Sequence, residues 1–192
     1  MHIEVVILLE VLGLIAFAVS GALAAFKKDL DLVGFIIVGT LTGIGGGTVR
    51  DVVLDRPVFW LHDPYLYSLN ICIASAIITY VVSKFIEKKE NIVNWFDATG
   101  LALFAVQGYM ITISVVNTPE VAICMGVITG CGGGLLRDIT LNRQPFIFRG
   151  ELYATTAVAG LIVMWLTQSA LLAFVLIFFM RACTILYKWR LK

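Results

Sequence analysis

The sequence predicts an all-α integral membrane protein: seven transmembrane helices, made of two inverted three-helix repeats plus a seventh helix. Three observations carry this: composition, the distribution of basic residues and an internal duplication. Of 192 residues, 60% are hydrophobic and only 14% charged, with a mean hydropathy of +0.96, whereas a soluble domain is nearer half apolar and a quarter charged. The net charge of +1 offers no footprint for nucleic acid. At roughly 20 residues per span plus a connection, the length holds about seven spans and no extramembrane domain. Residues 1–192 therefore form a single transmembrane domain.

Long apolar runs place the spans at 4–26, 32–54, 65–86, 95–116, 119–141, 151–168 and 170–187. The first has no basic flank or small-residue cleavage site, so it is expected to be a retained helix and not a signal peptide. Spans four and five join through 117–120 and spans six and seven through 167–169, neither connection carrying Lys or Arg. One side of the membrane receives Lys27, Lys28, Lys84, Lys88, Lys89, Arg137, Arg143, Arg149, Arg181, Lys188, Arg190 and Lys192, leaving Arg50 and Arg56 on the other. The expectation is a multi-pass protein of the cell (inner) membrane with its N-terminus outside and C-terminus cytoplasmic. Termini on opposite sides require an odd number of spans.

The duplication holds a constant offset of 87 residues. Segment 39–51 (GTLTGIGGGTVRD) matches 126–138 (GVITGCGGGLLRD), and the register continues through Leu54/Leu141, Arg56/Arg143 and Phe59/Phe146. It also aligns Glu10 with Asp97, Gly13 with Gly100, Phe17 with Phe104, and Gly21 with Gly108. Repeat one is 4–86, repeat two 91–168, and the seventh helix 170–187. Three spans per repeat make the second copy enter from the opposite side, the arrangement of many transport proteins, with a substrate or ion site expected where spans two and five meet near the midplane.

Three consecutive glycines weaken a helix interior by about 3 kcal/mol. Close helix packing accounts for Gly39, Gly43 and Gly47, and for Gly126, Gly130 and Gly134, spaced as GxxxG. It does not require Gly45, Gly46, Gly132 or Gly133. The functional expectation is a kink or break at Gly45–Gly47 and Gly132–Gly134 that frees carbonyls to replace an ion's hydration shell. Phosphate-loop readings fail, because no Gly-Lys-Ser/Thr follows and the motif lies inside a span.

Arg50 and Arg137 share a helix face with the preceding glycines. Adjacent Arg50 and Asp51 are not expected to face each other. Pairing with another helix, for example with Asp138 or Arg137, is one reading; snorkelling to the interface from helix ends is the other. In the first, the acids attract cations while Arg50 and Arg137 guard opposite mouths of one pathway. Glu10 and Asp97 are expected to interact with the N-termini of spans one and four. Ser20, Ser75, Ser83, Thr42 and Thr129 are able to hydrogen-bond across helices or line a pore. Trp60, Tyr65, Tyr67, Trp95, Tyr153, Tyr187 and Trp189 read as interfacial anchors. His2 and His62 are too distant for a metal site or proton relay, and Cys72, Cys124, Cys131 and Cys183 lack CxxC spacing and read as small packed residues. No cofactor is expected, no metal beyond transient monovalent cations, and no enzyme, since neither nucleophile and base nor metal cluster is evident.

These paired motifs, GIGGGTVRD and GCGGGLLRD in duplicated halves followed by a seventh helix, resemble the prokaryotic members of the trimeric intracellular cation (TRIC) channel family over essentially the whole chain. The resemblance implies a homotrimer in membrane lipid, each subunit enclosing a pore that conducts potassium and, to some extent, sodium. The matching pore residues are Gly45, Gly46, Gly47, Arg50, Asp51, Gly132, Gly133, Gly134, Arg137 and Asp138. Animal members bind phosphoinositide through basic residues around the fourth helix, but here no Lys or Arg occurs between Glu90 and Arg137, so that regulation is not carried over. Related bacterial sequences have also been described as small amino acid transporters, especially of glycine, and a secondary transporter is the alternative function.

Overall fold

The computed structural model describes residues 2–62, 66–85, 90–149 and 152–187. Tyr65, Lys88, Lys89, Lys188, Trp189, Arg190, Lys192 and the side chain of His2 lie outside the described residues. The described residues form seven α-helices: α1 His2–Phe26, α2 Leu32–Val53, α3 Tyr67–Ser83, α4 Glu90–Val116, α5 Pro119–Thr140, α6 Ala154–Thr167 and α7 Ala170–Tyr187. Five are long and apolar enough to cross a membrane, and α3 and α6 are shorter apolar helices. The predicted boundaries fall within a few residues throughout, except that α4 begins five residues earlier.

Local chemistry sets these ends. Asp31 caps α2 by accepting from the Gly34 amide at 2.9 Å, and Pro119 opens α5, where its missing N–H costs nothing. Helices α2 and α5 stop in the same way. The Leu54 amide donates to the Arg50 carbonyl and that of Leu141 to the Arg137 carbonyl, and the next residues, Asp55 (φ 52°) and Asn142 (φ 49°), turn left-handed, as Asp and Asn tolerate. Short 3-10 turns follow at Phe59–Leu61 and Phe146–Phe148. These paired details obey the offset of 87.

The centre of the molecule is a four-helix arrangement in which α1 packs on α4 and α2 on α5. Helix α3 covers α1 and α2, while α6 covers α5 and α7 lies against α4 and α6. Phe17 of α1 and Phe104 of α4 stack at 5.4 Å, and each ring lies over the other repeat's glycine, Phe17 on Gly100 and Phe104 on Gly13. The outward faces carry apolar side chains such as Leu12, Ile37, Ile78, Leu171 and Phe179, the surface expected of helices bathed in lipid.

Helices α2 and α5 stay helical through their glycines, so of the expected kink or break, the break is not present. A Cβ at Gly46 would overlap the Thr129 carbonyl and one at Gly133 the Thr42 carbonyl, while Gly132 lies against Gly46 itself. Of the glycines that GxxxG spacing left unexplained, Gly46, Gly132 and Gly133 lie where two backbones touch, and Gly45 faces the Leu136 side chain.

Candidate functional site

The last turns of α2 and α5 each present an Arg-Asp pair to the interior, and both pairs are buried. Contrary to expectation, the adjacent residues do bond each other. Arg50 Nε and Nη2 both reach Asp51 Oδ1 at 2.8 Å; Arg137 Nε donates to Asp138 Oδ1 at 2.9 Å and Nη2 to Oδ2 at 3.0 Å. Successive helix positions diverge by about 100°, but the long arginine stem wraps across that angle. Pairing with the opposite repeat's Arg-Asp is not observed, and neither arginine snorkels out. Each Asp also accepts an amide from the 3-10 turn beyond its helix, Phe59 N to Asp51 at 3.0 Å and Phe146 N to Asp138 at 3.3 Å. The Asp thereby fixes the returning loop.

Each guanidinium then crosses to the other repeat, where its partners sit at equivalent positions. Arg137 Nη1 donates to Ser20 Oγ of α1 at 2.7 Å, and Arg50 Nη1 to Gln107 Oε1 of α4 at 3.4 Å; Ser20 and Gln107 are 87 residues apart. Arg137 Nη1 also forms an ion pair of 2.6 Å with Asp97, both groups fully buried. Glu10 takes a different course: it accepts from Ser68 Oγ at 3.0 Å and Gln107 Nε2 at 3.1 Å, with Gln107 standing between it and Arg50. The expectation that Glu10 and Asp97 answer to helix N-termini is overturned. They lie two turns into α1 and α4, beyond the reach of the terminal dipole, and their partners are side chains.

The two ends of the molecule differ in openness. A cavity of about 800 Å³ is lined by Glu10, Arg50, Asp51, Arg56, Tyr109 and Gln168, among others. In the second repeat, a recess beside Phe146 and Tyr153 has no room for water. Tyr153 closes it: at 2% exposure it is a core residue and not the interfacial anchor expected, because Arg181 of α7 lies over its ring at 4.8 Å and donates to the adjoining Leu152 carbonyl at 3.1 Å. Its counterpart by the offset, Leu66, is 51% exposed. Arg137 is further covered by the Phe146 ring at 4.8 Å.

Of the remaining expectations, Thr42 and Thr129 bond back within their own helices, to Val38 and Met125 carbonyls at 2.6 Å, as does Ser83, to Tyr80. Ser20 bonds across helices. Trp60 donates to Thr48 at 3.0 Å, and Trp95 packs on Phe178. Cys72 and Cys131 are buried, but Cys124 is exposed and Cys183 intermediate. Ser68, Gln107, Tyr153 and Arg181 enter the site unannounced. The offset of 87 sets Gln107 opposite Ser20, but the two differ in identity, so the duplication alone does not mark it.

Two repeats that pack their second helices against each other, buried charge clusters on both of those helices and an open vestibule are the architecture of an inverted-repeat membrane channel or transporter. The comparisons specify which kind. A family model described as "Glycine transporter" matches residues 7–84 and 94–169. The inner membrane protein YadS of Escherichia coli (strain K12) is 39% identical over 160 residues, 81% of this chain and 75% of that one. Among solved structures, the TRIC trimeric intracellular cation channel orthologue from Rhodobacter sphaeroides superimposes with a TM-score of 0.89 at 36% identity, covering 96% of this chain and 99% of that one. A prokaryotic TRIC channel in 0.5 M KCl gives 0.91 at 30% identity, with 100% of both chains covered. The chain belongs to the prokaryotic TRIC channel family.

Proposed function

We propose that this protein is a monovalent-cation channel of the cell (inner) membrane, conducting potassium and sodium through a pore within each subunit of a homotrimer surrounded by lipid. The observation that carries this reading is the cavity of about 800 Å³ whose lining includes Glu10, Arg50 and Asp51, in a chain similar over nearly its whole length to TRIC channels of known structure. Wide, wet, charged vestibules concentrate ions and lower the cost of entering the membrane. The pathway runs beside the crossing of α2 and α5. Gly45, Gly46, Gly47, Gly132, Gly133 and Gly134 hold that crossing; Arg50 and Asp51 face the vestibule; Arg137 and Asp138 lie at the sealed end. With the N-terminus outside, as the basic residues predict, the open end is external. Repeats 4–86 and 91–168 form the conducting unit, and 170–187 braces the sealed half through Arg181.

Recording from purified protein in a planar bilayer under a KCl gradient tests the proposal. Discrete openings reversing near the potassium equilibrium potential are expected. The second reading, a secondary transporter of a small neutral amino acid such as glycine, is favoured by the family model's description and predicts saturable glycine uptake by proteoliposomes without unitary currents.

A further inference from the structure

We infer that Glu10 is the cation-selecting carboxylate of the open vestibule, and that Gln107 makes it so by keeping Arg50 off it. This rests on the cation-channel reading and adds the residue on which selectivity depends.

The two repeats place an acid at the same position of their first helices, Glu10 and Asp97, and an arginine at the same position of their second, Arg50 and Arg137. Among the described residues, only one of these acids has an ion-pair partner. Asp97 is ion-paired to Arg137 at 2.6 Å with both side chains fully buried, its partner steadied by the short Ser20 hydroxyl. Where the other repeat has Ser20, α4 supplies the longer Gln107, whose amide fills the space between the groups. The amide carbonyl takes Arg50 and the amide N–H₂ takes Glu10. Both oxygens of Glu10 accept from neutral groups, Ser68 and Gln107, and no ion pair engages it among the described residues. Each oxygen keeps a further lone pair for a cation.

The other charges of the vestibule do not offset it. Arg50 and Asp51 neutralise each other. Arg56 stands in the loop beyond α2 and is partly exposed, where water and salt screen it. Glu10 is 2% exposed, and a carboxylate there acts through protein and confined water, where a charge weighs far more than at the surface. A negative charge at that point favours a monovalent cation over chloride.

The test is bilayer recording of reconstituted wild-type protein, Glu10→Gln and Gln107→Ser, at about 0.01 M and about 1 M KCl, where the screening length falls from about 30 to about 3 Å. Glu10→Gln is expected to move the reversal potential under a gradient toward zero and to lower unitary conductance about tenfold in dilute salt, with a much smaller effect in concentrated salt. Gln107→Ser retains Glu10 but frees Arg50 to reach it, and is expected to change both quantities in the same direction. It also serves if Glu10→Gln fails to fold, as judged by size-exclusion chromatography. Wild-type selectivity and conductance in a correctly assembled Glu10→Gln protein would overturn the inference while leaving the channel reading intact. Normal behaviour of Gln107→Ser would overturn the role of Gln107. A wild-type protein passing no potassium would instead defeat the underlying reading.

Discussion

Gly46 and Gly133 each rest on the backbone of the other repeat's helix: Gly46 against the Thr129 carbonyl, Gly133 against the Thr42 carbonyl. The reciprocity follows from the two-fold relation of the repeats, and it fixes how closely α2 and α5 cross. Because the obstructing atoms are backbone carbonyls, an added methyl cannot be accommodated by turning a side chain. Gly46→Ala and Gly133→Ala are each expected to lower stability by about 1–3 kcal/mol or more through overpacking. Gly132→Ala, with its nearest atom the Cα of Gly46 at 3.0 Å, should be milder. Thermal unfolding in detergent, followed by fluorescence-detected size exclusion, ranks the three.

Arg137 compensates two buried carboxylates. Arg137→Met leaves Asp97 and Asp138 without their cation in a recess closed to water, and removing one partner of such a buried group costs about 3–5 kcal/mol. Most of this variant is expected to be lost on solubilisation. Asp97→Asn in the same background should recover part of the loss, since it removes one of the stranded charges.

Arg50 stands at the equivalent position but borders the open cavity, where water can reach Asp51 once the guanidinium is gone. Arg50→Ala should therefore assemble with a milder loss than Arg137→Met and change single-channel conductance. Equal losses of assembled protein in the two variants would contradict the difference in hydration between the two ends.

Tyr153 closes the sealed end with its ring, while its hydroxyl has no hydrogen-bond partner among the described residues. Tyr153→Phe is expected to be close to neutral in melting temperature and in current. Tyr153→Ala removes the ring that Arg181 covers, should cost about 3–5 kcal/mol as an aromatic deletion, and should raise open probability in bilayer recordings of the fraction that assembles.

A homotrimer is expected to give a cross-linking ladder that ends at the third band when proteoliposomes are treated with an amine-reactive reagent. A ladder stopping at the second would reject trimeric assembly.

The sequence by itself determined the membrane class, the seven helices and the duplication, because these depend on local quantities: apolar length, the placement of basic residues, and residue identity at a fixed offset. It also singled out Arg50, Asp51, Arg137 and Asp138 as intramembrane charges. Only the tertiary structure decided what they bond. Helical spacing set adjacent Arg and Asp apart, yet side-chain length let them meet. Gly45–Gly47 and Gly132–Gly134 suggested broken helices, since propensity counts the cost of glycine but not the neighbour that requires it. The inequality of the two ends was illegible too. It rests on Gln107 replacing Ser20, on Tyr153 replacing Leu66, and on Arg181 arriving from a helix outside the repeat. Each contact joins residues distant in the chain, and its energy exists only once packing has excluded water from one end and admitted it at the other.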